Sequence, residues 1–90
     1  MCSIMGYKGD SVSEESFKEH FDKTISRGPD MQEIRRFGDV ILGFERLAIM
    51  GLTKEGMQPF TYQGNAVVCN GEIYGFRKLR EEFARTYQFR

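Results

Sequence analysis

Residues 31–50 read MQEIRRFGDVILGFERLAIM, and this stretch decides the architecture. Residues 31–37 and 39–50 read as two strands joined at Gly38-Asp39, a pair suited to a tight turn. The second run is rich in Val, Ile and Leu, yet Glu45 and Arg46 interrupt it. Upstream, Arg27-Gly28-Pro29-Asp30 reads as a loop that breaks the preceding element. That element, residues 13–25 (SEESFKEHFDKTI), sets Phe17, Phe21 and Ile25 at i, i+4 and i+8, the stripe of an amphipathic helix. Ser11 and Glu14 offer a capping box, and Glu14 and Glu15 suit the positive end of the helix dipole. His20 lies at the edge of the stripe and reads as a solvated or half-buried helix histidine. Residues 3–7 (SIMGY) read as a first strand.

Downstream, residues 53–59 are turn-rich, and Gln63-Gly64-Asn65 is a hairpin turn candidate after the short run at residues 60–62. Residues 66–69 read as a buried-type strand in which Cys69 would serve as a small hydrophobe. From Phe76, FRKLREEFARTY forms an amphipathic pattern with Phe76, Leu79, Phe83 and Tyr87 on one face. Helix, several antiparallel strands, then helix: the expectation is an α+β fold.

Composition excludes several classes. Ninety residues make one domain at most, and a chain of this size buries only ~60–65% of its unfolded surface. Lys+Arg and Asp+Glu balance at 13 each, so bulk charge argues for neither nucleic acid nor a membrane surface as partner. No run approaches the ~20 apolar residues of a membrane span, and no signal peptide is visible. Two cysteines without regular spacing make neither a disulfide framework nor a metal site, so a reducing, cytoplasmic setting is expected.

Three separated elements carry candidate chemistry. Cys2 directly follows Met1. Once Met1 is removed, one residue holds a thiol and an α-amine, with ordinary pKa values near ~8.5 and ~7.7–8.0. The amine is then substantially neutral near pH 7 and can act as base for its own side chain. Asn70-Gly71 would set a side-chain amide and a backbone N–H side by side, as an oxyanion hole needs, although the dipeptide also reads as a plain turn. Arg46, inside an apolar strand, suits bidentate capture of a carboxylate, or else is an edge residue.

The segments Met1-Cys2-Ser3-Ile4, Arg27-Gly28-Pro29-Asp30, Glu45-Arg46-Leu47-Ala48-Ile49, Gln58-Pro59 and Asn70-Gly71-Glu72-Ile73-Tyr74 follow one another in this order. Together they resemble the amino-terminal glutaminase domain of glutamine-hydrolysing asparagine synthetases. The wider group is the class II glutamine amidotransferases, which belong to the N-terminal nucleophile (Ntn) hydrolases. The resemblance runs over essentially the whole chain. It implies a four-layer αββα sandwich with two antiparallel sheets, of which residues 1–90 would be about the first half, a partial amidotransferase domain with no synthetase domain.

The resemblance also implies roles at matching positions. Cys2 would attack the glutamine side-chain amide, with Asn70 and Gly71 as the oxyanion pair. Arg46 would bind the substrate α-carboxylate, while Ile49, Met50 and Glu72 would line or contact the bound glutamine. Glutamine is then the ligand and a γ-glutamyl thioester the intermediate. No cofactor is implied for the glutaminase part, and ATP and Mg only for the absent synthetase domain. Phe44 stands where many relatives have histidine, Gly51 where aspartate is common, and Gly75 where asparagine is common. The chain stops before the segment expected to hold the aspartate that receives the substrate amine, so the isolated chain is expected to be inactive. The alternatives are a non-catalytic fragment that self-associates as a homodimer through uncovered sheet edges, or another amidotransferase branch.

Overall fold

The structure, a computed structural model, describes residues 2–48 and 56–88. Strand β1 (Ser3–Lys8) leads into helix α1 (Glu14–Phe21), which tightens into a 3-10 segment, Asp22–Arg27. Strands β2 (Met31–Phe37) and β3 (Val40–Arg46) follow, joined at Gly38-Asp39 as the sequence suggests. A short hairpin, β4 (Phe60–Tyr62) and β5 (Asn65–Val67), precedes helix α2 (Phe76–Phe83). The expected α+β class with antiparallel sheets is present.

The three-stranded sheet has the order β1-β3-β2, so β3 is central and antiparallel to both neighbours. Pairing of Ser3 with Glu45, Met5 with Gly43 and Tyr7 with Ile41 fixes which side chains share a face. Helix α1 covers that face through Phe17 and Phe21, which with Ile41 form the buried core, flanked by Met5, Tyr7, Val12 and Ile34. Burying each such side chain is worth about 1.5–3 kcal/mol. Gly43 lets the helix sit this close: a Cβ there would stand 2.6 Å from the Phe21 ring and 2.8 Å from that of Phe17.

Several boundaries differ from the sequence reading; helix α2, for one, ends at Phe83 rather than running to Tyr87. Helix α1 stops at Phe21 and the 3-10 segment leaves Ile25 exposed, so the stripe contributes two core residues rather than three. Its cap is Ser13, whose hydroxyl accepts the Ser16 N–H at 3.1 Å, not the Ser11–Glu14 box. Strand β3 ends at Arg46, before the end of the apolar run, because from there the backbone bonds to the loop before β2.

The second hairpin turns at Gln63 and Gly64, with φ of 50° and 79°, the paired positive values of a primed turn. It is short and exposed, which corrects the reading of residues 66–69 as a buried strand: Cys69 is exposed, not core filler. No helix among the described residues is long and apolar enough to cross a membrane.

Candidate active site

Cys2 stands at the open end of β1, one residue before the Ser3–Glu45 pair. Carrying that register one residue past its last pair sets it opposite Arg46, and the alternation of side chains then puts both on the face opposite α1. Arg46 is buried, at 5% exposure, in line with Phe44 on that face. Cys2 is half-buried, and its Sγ accepts the Leu47 backbone N–H at 3.4 Å. The two sequence candidates nearest the chain start are therefore brought together at one sheet end.

The RGPD loop holds this end in place. Gly28 is buried against β3, and a Cβ there would collide with the Glu45 carbonyl and stand 2.7 Å from the Arg46 nitrogen. Only glycine allows two backbones to approach this closely. Asp30 then donates its N–H to the Arg46 carbonyl at 3.0 Å, while its carboxylate accepts the Ala48 N–H at 2.8 Å. Arg46 is thus fixed through its own main chain and that of its neighbours.

Behind the sheet runs a polar cluster. Glu45 is fully buried, and its two carboxylate oxygens accept from the Thr24 hydroxyl and the Gln32 amide, each at 2.8 Å. Ser3 donates to Thr24 at 3.0 Å. The Gln32 amide also reaches Asp22, and Lys18 bridges Asp22 and the Gln32 oxygen. The Gln32 amide, and after it the Lys18 ammonium, hold the exposed Asp22 carboxyl below its ordinary pKa.

Asn70, Gly71 and Glu72 lie beyond β5 and are exposed. Their approach is set by Gln58, whose side chain forms a two-way clamp on the Cys69 backbone. Its oxygen accepts the Cys69 N–H at 2.6 Å and its amide donates to the Cys69 carbonyl at 3.1 Å. Among the described residues no hydrogen bond joins Asn70, Gly71 or Glu72 to Cys2. Ile49 and Met50, expected to line the substrate pocket, lie outside the described residues. Sequence reading named no role for Asp30, Thr24, Gln32 or Gln58. Glu45 interrupting an apolar strand points to the cluster of Thr24 and Gln32, while Asp30 and Gln58 fall in segments that carry the family resemblance.

Comparison with known proteins bears on what this sheet end does. A family model described as a glutamine amidotransferase domain matches residues 1–90. A probable glutamine-hydrolyzing asparagine synthetase of Acanthamoeba polyphaga mimivirus is 41% identical over 91 residues, covering 92% of this chain and 16% of the relative. Asparagine synthetase 3 of Bacillus subtilis, also glutamine-hydrolyzing, is 36% identical over 98 residues, 99% of this chain and 16% of its own length. Asparagine synthetase B of Escherichia coli is 36% identical over 95 residues, 99% of this chain and 17% of its own length. The chain thus spans about a sixth of the length of the relatives it matches.

Proposed function

This chain belongs to the glutamine amidotransferase domain family, and from that premise we propose that it is part of a glutamine-hydrolysing site with Cys2 as nucleophile. The observation that carries the reading is the placement of Cys2 and Arg46 across one antiparallel pair, on one face, at one sheet end.

With Met1 removed, the α-amine of Cys2 takes the thiol proton. The thiolate attacks the side-chain carbonyl carbon of glutamine, forming a carbon–sulfur bond and a tetrahedral oxyanion. Asn70 and Gly71 are assigned the donors for that oxyanion. Collapse breaks the carbon–nitrogen bond, ammonia leaves with the proton held by the amine, and water then hydrolyses the thioester to glutamate. Arg46 grips the α-carboxylate bidentately, which converts attack into an oriented, near-intramolecular step. Glu72, Ile49 and Met50 are assigned to the glutamine pocket on the family resemblance.

The residues present suit thiol chemistry, and this step needs no metal. In the whole protein the ammonia would serve asparagine formation, as the names of the relatives imply, with ATP and Mg used by a part outside residues 1–90. Two free thiols suit a reducing, cytoplasmic setting. The 90-residue chain alone is expected to turn glutamine over poorly, because an oxyanion hole works in a dry site and Asn70 and Gly71 are exposed here.

The test is glutamate release by the whole protein, with the terminus established by intact mass. Cys2→Ala should abolish it. Arg46→Ala should raise KM for glutamine roughly 10- to 100-fold, the loss of a charge-assisted contact worth about 1.5–3 kcal/mol. Undiminished turnover by Cys2→Ala, or by a form that retains Met1, would defeat the mechanism. A second reading, a non-catalytic self-associating module, is favoured only by the exposed apolar face of α2. Sedimentation as a dimer together with absent turnover would select it.

A further inference from the structure

The Ser3–Glu45 pair is the last rung of the β1–β3 ladder at the end where Cys2 and Arg46 emerge. End rungs fray because they have no further pair beyond them. This one is locked from behind: Ser3 is 8% exposed and Glu45 is 0% exposed. Ser3 Oγ donates to Thr24 Oγ1 at 3.0 Å, and Thr24 Oγ1 lies 2.8 Å from Glu45 Oε1. The single Thr24 proton could instead serve the Phe21 carbonyl at 3.0 Å, but the Glu45 oxygen is nearer. Gln32 occupies the other carboxylate oxygen at 2.8 Å.

We propose that Glu45, held by Thr24 and Gln32, is a positioning residue that sets the separation and tilt of Cys2 and Arg46 across the last rung of the sheet. The proposal rests on the glutaminase reading above and goes beyond it, since none of these three side chains is assigned to substrate. Burying a carboxylate is a poor route to stability, because apolar replacements of buried charged groups are often neutral or stabilising. What a doubly hydrogen-bonded carboxylate supplies is direction. Its two acceptors fix the 3-10 segment on one side and β2 on the other, leaving the β3 end one arrangement. Cys2 and Arg46 are the residues immediately next to that fixed rung. A thiol and a guanidinium that must engage opposite ends of one small amino acid depend on such spacing.

The test uses the whole protein with Cys2 as its confirmed terminus, and two electrophiles. One is a chloromethyl ketone that keeps the amino and carboxylate groups of glutamine; the thiolate displaces chloride and a carbon–sulfur bond forms. The other, iodoacetamide, has no carboxylate for Arg46 to hold. The readout is the ratio of the two alkylation rates at Cys2, followed by intact mass. Partial unfolding would expose the half-buried Cys2 and raise the iodoacetamide rate while lowering the other. Misplacement of Cys2 against Arg46 moves only the rate of the glutamine-shaped reagent.

Thr24→Val keeps the shape and removes the hydroxyl, and should lower the ratio roughly tenfold or more. Thr24→Ser, which restores the hydroxyl, should return it to the wild-type value. Glu45→Gln should lower it too, since its amide nitrogen must face either the Gln32 amide, donor to donor, or Thr24, which must then turn its proton to the Phe21 carbonyl. A wild-type ratio in Thr24→Val overturns the positioning role and leaves the glutaminase reading intact. A wild-type protein that reacts with the glutamine-shaped reagent no faster than with iodoacetamide overturns the glutaminase reading, and the positioning role with it.

Discussion

Helices α1 and α2 are both eight residues long and both carry phenylalanines on one face, yet their fates differ. Phe17 and Phe21 are 2% and 1% exposed, whereas Phe76 and Phe83 are 57% and 45% exposed. Amphipathic periodicity creates a face; it does not supply what covers it. Helix α1 lies on a three-stranded sheet whose central strand offers Ile41 and the flat surface at Gly43. Helix α2 follows a two-stranded hairpin of three-residue strands, an element too small to form a core alone. The same contrast runs through the site. Cys2 and Arg46 belong to the packed region and have defined surroundings, whereas Asn70, Gly71 and Glu72 belong to the exposed one.

The contrast can be tested by matched truncations. Phe21→Ala should have the largest effect, costing about 3–5 kcal/mol in urea unfolding, because it empties the centre of the core. A cost below about 1 kcal/mol would mean that α1 is not the element that stabilises the sheet. Next in size is Ser13→Ala, which removes the cap of α1 and should cost about 1 kcal/mol. If Ser11→Ala proved the more costly of the two, the capping assignment would fall, since among the described residues the Ser11 hydroxyl bonds Tyr7 and not the helix start.

Much of the packed region was legible in sequence. The Phe17–Phe21 stripe, the Gly38-Asp39 turn and the 31–37 strand are local patterns, and local patterns survive folding. What escaped was long-range. Nothing in the run Gly28-Pro29-Asp30 announces that its glycine abuts the Glu45 carbonyl or that its aspartate bonds Ala48. Thr24 and Gln32 sit 21 and 13 residues from the Glu45 they bond, too far for any spacing rule. Cys69 failed for another reason: a short apolar run reads as buried by default, and its burial depends on strands that must pack against it. Cys2 and Arg46 are separate candidates in the sequence and in the resemblance, and the register of β1 against β3 sets them at the same sheet end.

The smallest expected effect is the most informative about the exposed region. Phe76 opens α2, and its ring lies 5.8 Å from the Arg77 guanidinium carbon. An exposed cation–π contact contributes about 0.5–1 kcal/mol. Replacement by alanine forfeits that contact but gains helix propensity of several tenths of a kcal/mol. Phe76→Ala should therefore change the unfolding free energy by no more than about 0.5 kcal/mol, the range of ordinary surface substitutions. A cost of about 2 kcal/mol or more, close to that of truncating a buried side chain, would show that this ring is covered in solution. The difference between the two helices would then be one of partner rather than of burial. Repeating the measurement at several protein concentrations separates the two sources of cover, because only an intermolecular one grows with concentration.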